Sequence, residues 1–399
     1  MRFLHTSDWH LGRSFLGVSL LEDQAHVLEQ LVELVRGADL DAVLLAGDVY
    51  DRLTPPPDAV ELLDEVLTRI VVDCRVPVVL IAGNHDSAER LGFGSRLLDA
   101  RGLHVAGPAP RAVRFEDRHG EVEVVAVPYA EPGAVAARLA DPEVVEAEGA
   151  MRAELAAMNA SAGTKPPPGA GSAADADSPT ASGPGRRIVV AHAFVAGGST
   201  SESERPLVLG NAALVSPSCF DGFGYAALGH LHRPQRVGRA EVRYSGSLLK
   251  YSFDEAAHHK SVSIVEMGAD GSCRIEEVAL GARRDVRVLE GTLEEIRRAA
   301  EADTSRDDYV LARLTDRGAI LDAIGKVRDL YPNCLRVDRE AFFAARSEDA
   351  GPRLDLRHHG EAELFDAFFA EVTGTSPDED EARAFAEALA AARARGAEA

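Results

Sequence analysis

Short apolar runs closed by polar clusters set the pattern of the N-terminal part of the chain. Phe3-Leu4 leads into HTSDWH, Ala42–Ala46 into GDVYD, and Val76–Ala82 into GNHD. Ile188–Ala191 leads into HAF and Tyr225–Leu228 into GHLH. Between the first three runs, Leu20–Val35 and Ala59–Val71 carry apolar residues at helical spacing. Short buried strands alternating with helices predict an α/β sheet. In such sheets ligands bind beyond the carboxyl ends of the strands, where these polar clusters fall.

The pattern breaks between Ala160 and Arg187, ASAGTKPPPGAGSAADADSPTASGPGRR. The stretch has no aliphatic side chain larger than alanine and no aromatic, so residues 160–187 read as a disordered low-complexity insertion. It follows a helix-like Val135–Met158 and interrupts the domain without ending it. From about Arg284 the pattern resets, and VRVLEG, TLEEIRRAAEA, YVLARLTD, AILDAIGKVRDLYP and CLRVDR read as β-α-β-α-β. Two amphipathic helices are predicted after it, Glu361–Val372 and Asp378–Arg395. The first has an apolar stripe of Phe365, Phe368, Phe369 and Val372, open either to core packing or to a partner. The expected division is 1–280, a domain of 281–345, and a helical docking segment of 346–399.

A length of 399 residues suits two or three domains. Contents of 46 % hydrophobic and 27 % charged residues are those of a soluble globular protein. No run of about 18 uncharged apolar residues occurs, so no membrane span is expected. The N-terminus shows no signal-peptide pattern, which leads us to expect a cytoplasmic, nucleoid-associated location. The 4 cysteines lie far apart without a CxxC pair, against a disulfide framework or a cysteine zinc site. A net charge of −22 repels polyanions at long range. Nucleic acid as a ligand would then need bound cations or a basic partner.

Seven side chains at the ends of the five runs are candidate metal ligands: Asp8, His10, Asp48, Asn84, His192, His230 and His232. Oxygen and imidazole donors without thiolates suit Mn²⁺, Mg²⁺, Fe or Zn in a hydrolytic site. Asp-x-His and His-x-His at a strand end would put alternate side chains on one face, toward one ion. The glycines before Asp48 and Asn84 allow tight turns and close backbone approach. Each cluster alone has an ordinary reading as a turn, cap or core histidine. Their joint occurrence, in order, favours a metal site.

DWH, GDVYD, GNHD, a histidine after IVVA, and GHLH resemble the motif series of the calcineurin-like metallophosphoesterases. HTSDWHLGRSF, AGDVYDRLTPP, AGNHDSAERL, LGHLHRPQRV and YSGSLLKYSFDE are similar to its nuclease subunits that act with an SbcC-type ATPase on DNA ends. The resemblance implies a β-sandwich flanked by helices with a small α+β capping domain. It implies two divalent ions, Mn²⁺ first among the choices with Mg²⁺ or Fe as alternatives, bridged by Asp48. Asp8, His10 and His232 would complete one ion's shell, and Asn84, His192 and His230 the other's. His85 would face the scissile phosphate without binding metal, and Asp86 would orient its ring. Some relatives carry a histidine where this chain has Asp51, leaving the role of Asp51 open. The implied assembly is a homodimer within a heterotetramer with the ATPase.

Arg13, Arg52, Arg90, Arg96, Arg233, Arg236 and Lys250 lie beside the motifs and are candidate DNA contacts. The expected activity is phosphodiester hydrolysis on DNA, exonucleolytic on duplexes and endonucleolytic on single strands or hairpins. The rival is a related phosphodiesterase or phosphatase acting on a small or protein substrate. Protein phosphatases of the superfamily favour GNHE, where this chain has GNHD.

Overall fold

The computed structural model describes residues 1–161, 185–204, 213–339, 360–373 and 375–396. The chain divides into two compact units, Met1–Val286 and Arg287–Ala399. The first unit is a sandwich of two six-stranded sheets. One sheet runs in the order Cys273–Ala279, Ser261–Met267, Arg2–Thr6, Ala42–Ala46, Val78–Ile81, Leu103–Ala106. Its last four strands are parallel, Ser261–Met267 pairs antiparallel with Arg2–Thr6, and Cys273–Ala279 pairs antiparallel with Ser261–Met267. The other sheet runs Gln235–Val237, Arg239–Tyr244, Phe223–Gly229, Gly185–His192, Gly120–Val127, Arg111–Asp117. Its four inner strands are parallel and both edge strands antiparallel.

Alternation along each strand builds the layers. Leu44, Ala46, Val79 and Ile81 of the first sheet share one core with Val124, Ala126, Ile188, Val190, Tyr225 and Ala227 of the second. The intervening residues Val125, Val127, Val189 and Ala191 form another core with Met151 and Leu155 of the helix Ala147–Ser161. Strands buried on both faces need apolar residues at every position, which is why they read as continuous runs. The helices Leu21–Gly37 and Pro57–Thr68 fall where the helical spacing predicts them, and the second continues into a π-turn at Arg69–Asp73. These layers form the β-sandwich flanked by helices.

The bounds of the expected insertion need correction. Ala160 and Ser161 end a helix, and Gly185–Arg187 open a central strand. Arg186 donates to Asp117 and Arg187 to Glu123 and Asn159, which ties the strand to its neighbours. Residues 162–184 lie outside the described residues.

His5 is fully buried in the sandwich, where Tyr225 Oη and the Leu228 carbonyl occupy its two ring nitrogens at 2.9 and 3.1 Å. Burial lowers its pKa to about 3. The folded state therefore refuses a proton that the unfolded chain accepts near pH 6.5. Stability from this site is complete above about pH 6.5 and is lost as pH falls toward 3. His5→Gln can make the same two hydrogen bonds. Between pH 6.5 and 5 it is expected to remove about 2 kcal/mol of the wild-type loss, by urea unfolding.

In the second unit, Val286–Gly291, Tyr309–Leu314 and Cys334–Asp338 form a three-stranded sheet with Tyr309–Leu314 in the middle. The helices Leu293–Ala302 and Ala323–Arg328 connect the strands, and Ile296, Ala300 and Val327 join their core. Further on, Glu361–Thr373 and Glu379–Gly396 are helical, and Phe365 stacks on Phe385 with ring centroids 4.0 Å apart. Phe365 and Phe369 of the stripe thus pack within this hairpin, whereas Phe368 is exposed. Among the described residues no helix is long and apolar enough to cross a membrane.

Candidate metal centre

The site is built from turns just past the strand ends, and this corrects the strand-alternation account. The strands stop at Thr6, Ala46 and Gly229, and the chain then turns through positive φ at Asp8 (53°), His10 (46°), Asp48 (48°) and His230 (113°). Left-handed backbone at non-glycine residues costs on the order of 1 kcal/mol or more each and clusters at functional sites. The turns support one another. Asp8 N donates to Gly47 O, His10 N to Asp48 O and Leu11 N to Val49 O. Two glycines leave room for the converging side chains. A Cβ on Gly47 would lie 2.6 Å from His192 Nδ1, and one on Gly83 would collide with Asp48 Oδ1.

All seven predicted ligands converge. Asp8, His10 and His232 form one group, and Asp48, His192 and His230 another. Asp48 lies between them, its Oδ2 3.6 Å from His10 Nε2 and 3.5 Å from His192 Nε2. Asn84 Oδ1 joins the second group, 2.9 Å from His192 Nε2 and 3.2 Å from His230 Nδ1. The carboxylates and imidazoles of both groups are buried, whereas Asn84 and His85 are partly open.

Electrostatics explains what such a cluster requires. Burial and the Asp48 charge push Asp8 up, and burial raises Asp48 to about 6 against the pull of His85 and Arg13. Burial lowers His192 and His232 to about 4, and burial with neighbouring imidazoles lowers His10 and His230. At neutral pH the histidines are therefore uncharged, the form that ligates metal. His192 Nδ1 donates to the Ala46 carbonyl, so its Nε2 carries a lone pair facing the Asn84 and Asp48 oxygens. Acceptor against acceptor in a buried site is unfavourable without a cation between them. The donor set and this opposition fit divalent metal.

His85 and Asp86 have different neighbours from those expected. Asp86 does not orient the His85 ring. Its carboxylate accepts from Val49 N (3.0 Å), Tyr50 N (2.9 Å) and Gly83 N (2.9 Å), tying the GDVYD and GNHD turns together. Burial and the nearby Asp48 raise it to about 7. His85 Nδ1 instead meets the Asp51 carbonyl at 2.8 Å, and its backbone N donates to Asp48 Oδ1. The Asp51 carboxylate lies 3.6 Å from His10 Nδ1 and accepts from Arg13.

Two of the cations proposed for DNA contact are held inside the protein. Arg13 donates to Asp51 and to Ser203 O and lies 4.9 Å over the Tyr251 ring. Lys250 donates to Ala256 O and Asp285. A buried group of carboxylates needs counter-charge, and Arg13 supplies it. Arg52, Arg90, Arg96, Arg233 and Arg236 are exposed.

Several residues that the motifs do not indicate surround the ligands. Ser7 donates to Asp8 at 2.5 Å, and Gln24 binds the carbonyls of Trp9 and His10. Glu204, raised to about 7 by burial, accepts from His232 N. Glu255 and Ser203 meet His232 Nδ1. Burial would raise Glu255, but Lys260, the contact with His232 and the nearby His258 ring outweigh it and hold it far below the usual carboxylate range. The YSFDE wording was the sole sequence signal for Glu255, and it carries no spacing that implies a role.

Residues 1–128 match the family model of the calcineurin-like phosphoesterases. Residues 282–373 match that of the type 5 capsule protein repressor C-terminal domain, SbcD_C. The two matches together support an SbcD-type member of the metallophosphoesterase superfamily. It is thus a metal-dependent phosphoester hydrolase. Among solved structures, a dimetal phosphatase from Danio rerio is similar at 13 % identity and a TM-score of 0.36, over 71 % of this chain and 99 % of that one. GAP50, the anchor in the inner membrane complex of Plasmodium, is similar at 10 % identity and 0.35, over 71 % and 90 %.

Proposed function

We propose that this chain is the nuclease subunit of a DNA-end-processing assembly that works with an SbcC-type ATPase. The observation that carries the reading is Asp48 set between two buried ligand groups, with the half-open His85 beside them. The SbcD_C match supports the DNA substrate and the ATPase partner. Asp8, His10 and His232 would hold one divalent ion and Asn84, His192 and His230 the other, with Asp48 shared.

Two such ions, when bound, would supply a water of lowered pKa and positive charge for the transferring phosphoryl oxygens. The chain's own part is positional and protonic. Because His85 Nδ1–H donates to the Asp51 carbonyl, only Nε2 is available for exchange. In its protonated form Nε2 can deliver a proton to the leaving oxygen or hydrogen-bond the phosphoryl group. Asp86 keeps the two turns, and hence Asp48 and His85, in register.

The exposed Arg52, Arg90, Arg96, Arg233 and Arg236 are the DNA contacts retained. On a chain of net charge −22 they give weak, salt-sensitive binding, and the ATPase provides the remaining affinity. Hydrolysis of linear duplex DNA is compared with that of bis-p-nitrophenyl phosphate, in Mn²⁺, with and without the ATPase. Cleavage of DNA that the ATPase increases supports the reading. Activity on the small ester alone, with the partner present, would instead indicate a small-substrate phosphodiesterase.

The homodimer has a candidate surface. Leu53, Val60, Val72, Phe93, Leu97 and Leu98 are exposed on the helical side of the first sheet's edge. Several of them line an apolar cavity of about 850 Å³. An exposed apolar surface of this kind suits burial against a second copy. Phe93→Glu with Leu97→Glu is expected to convert a dimer to a monomer in light scattering while ester hydrolysis persists.

A further inference from the structure

His232 stands out among the ligands for the network gathered on its far side. Its Nδ1 lies 2.6 Å from Ser203 Oγ and 3.3 Å from Glu255 Oε1. Ser203 Oγ in turn donates to Glu255 Oε1, and Ser252 Oγ, which also contacts Asp254 Oδ1, lies 3.1 Å from the same oxygen. The other carboxylate oxygen accepts from Lys260 Nζ at 2.5 Å. Lys260 also donates to the His232 carbonyl and to Ser247 Oγ, both at 2.8 Å. Glu255 is fully buried and Lys260 nearly so.

Counting protons among Glu255, Ser203 and His232 leaves one arrangement that satisfies all three. The carboxylate can only accept, so the Ser203 hydroxyl proton points to it. The Ser203 lone pair is then free to accept from His232 Nδ1, which must carry a hydrogen. The opposite tautomer would place a bare Nδ1 lone pair 3.3 Å from a carboxylate oxygen, with repulsion undiluted by water. With Nδ1 protonated and the ring neutral, Nε2 holds the lone pair, 3.1 Å from His10 Nε2 within the ligand group.

We propose that Glu255, acting through Ser203, is the positioning residue that locks His232 in the Nδ1–H tautomer and so presents Nε2 to a cation. Lys260 balances the buried charge. The inference rests on the two-cation reading for its purpose, while the tautomer itself is a property of the metal-free chain. A carboxylate behind a ligating imidazole also raises its basicity, and removing such a partner typically weakens metal binding 10- to 100-fold. Ser203 O also accepts from Arg13, so one short segment steadies both sides of the group.

The test uses ring ¹⁵N NMR of the metal-free full-length chain, with His232 identified by comparison with His232→Gln. Mn²⁺ titration by calorimetry accompanies it. The wild type is expected to show the Nδ1–H pattern. Glu255→Leu should lose it and bind one of two Mn²⁺ ions 10- to 100-fold more weakly. Glu255→Gln, which keeps an acceptor and the shape, should restore most of both. Lys260→Met should lower the melting temperature yet keep the tautomer, which separates orientation from general packing. An Nε2–H pattern in the wild type, or wild-type Mn²⁺ affinity in folded Glu255→Leu, would overturn the proposal. If the tautomer is as expected but Mn²⁺ binds nowhere and no phosphodiester is cleaved, the two-cation reading fails instead.

Discussion

Asp48→Asn is expected to lower phosphodiester hydrolysis by at least about 10³-fold and to reduce bound metal from two ions to one or none. The amide keeps the shape of the carboxylate, tolerates the left-handed backbone at φ 48°, and can still accept from His85 N. What disappears is the charge between His10 and His192, the two contacts at 3.6 and 3.5 Å that reach both ligand groups. The metal-free variant should melt no lower than the metal-free wild type. Asp48 is a burden without metal, because burial raises its pKa to about 6. The wild type should gain about 2.7 kcal/mol when Mn²⁺ is present at 100 times its dissociation constant, and the variant should gain far less. Metal analysis and thermal melts check both parts. Undiminished two-ion binding would remove Asp48 from its bridging position.

The convergence of the seven candidate ligands was legible because metal chemistry would constrain such a set tightly. An ion needs several oxygen or imidazole donors within a few ångströms, and a parallel sheet delivers them from strand ends. The turns themselves were not legible. Asp8, His10 and Asp48 sit in left-handed backbone that no local pattern demands, and the mutual hydrogen bonds of the two turns hold it there. Topology was also hidden. IVVA and AVLLA are equally apolar, yet one strand belongs to the second sheet and the other to the first, since both are buried on two faces. The strand Gly120–Val127, next to the edge of the second sheet, carries the same pattern but ends in no candidate ligand, so it has no chemical mark in the sequence. Arg13 looked like a surface cation because charge on a sequence does not reveal its partner, here Asp51 and a carbonyl of Ser203. Glu255 shows the general difficulty. A residue that acts through a ligand is placed by the fold, 23 positions from His232, and shares no spacing with it.

His85→Ala is expected to leave both ions bound and to slow DNA cleavage by about 10²- to 10⁴-fold, the range of a positioned acid or base. Separation of binding from chemistry follows from the geometry. The His85 ring donates to the Asp51 carbonyl and does not join Asp48, His192 and His230, although with His10 and the Asp51 carboxylate it forms a third, more open cluster, while its backbone amide, untouched by the substitution, holds Asp48 Oδ1. The leaving group then tells which task the ring performs. Nitrophenolate departs without a proton, whereas the sugar alkoxide of DNA needs one. If His85 protonates the leaving oxygen, the loss on bis-p-nitrophenyl phosphate should be at least tenfold smaller than on DNA. An equal loss on both substrates would assign His85 to stabilising phosphoryl charge, a term that does not depend on the leaving group. Loss of metal from the variant would contradict the division of labour between Asn84, which joins the ligands, and the histidine that follows it.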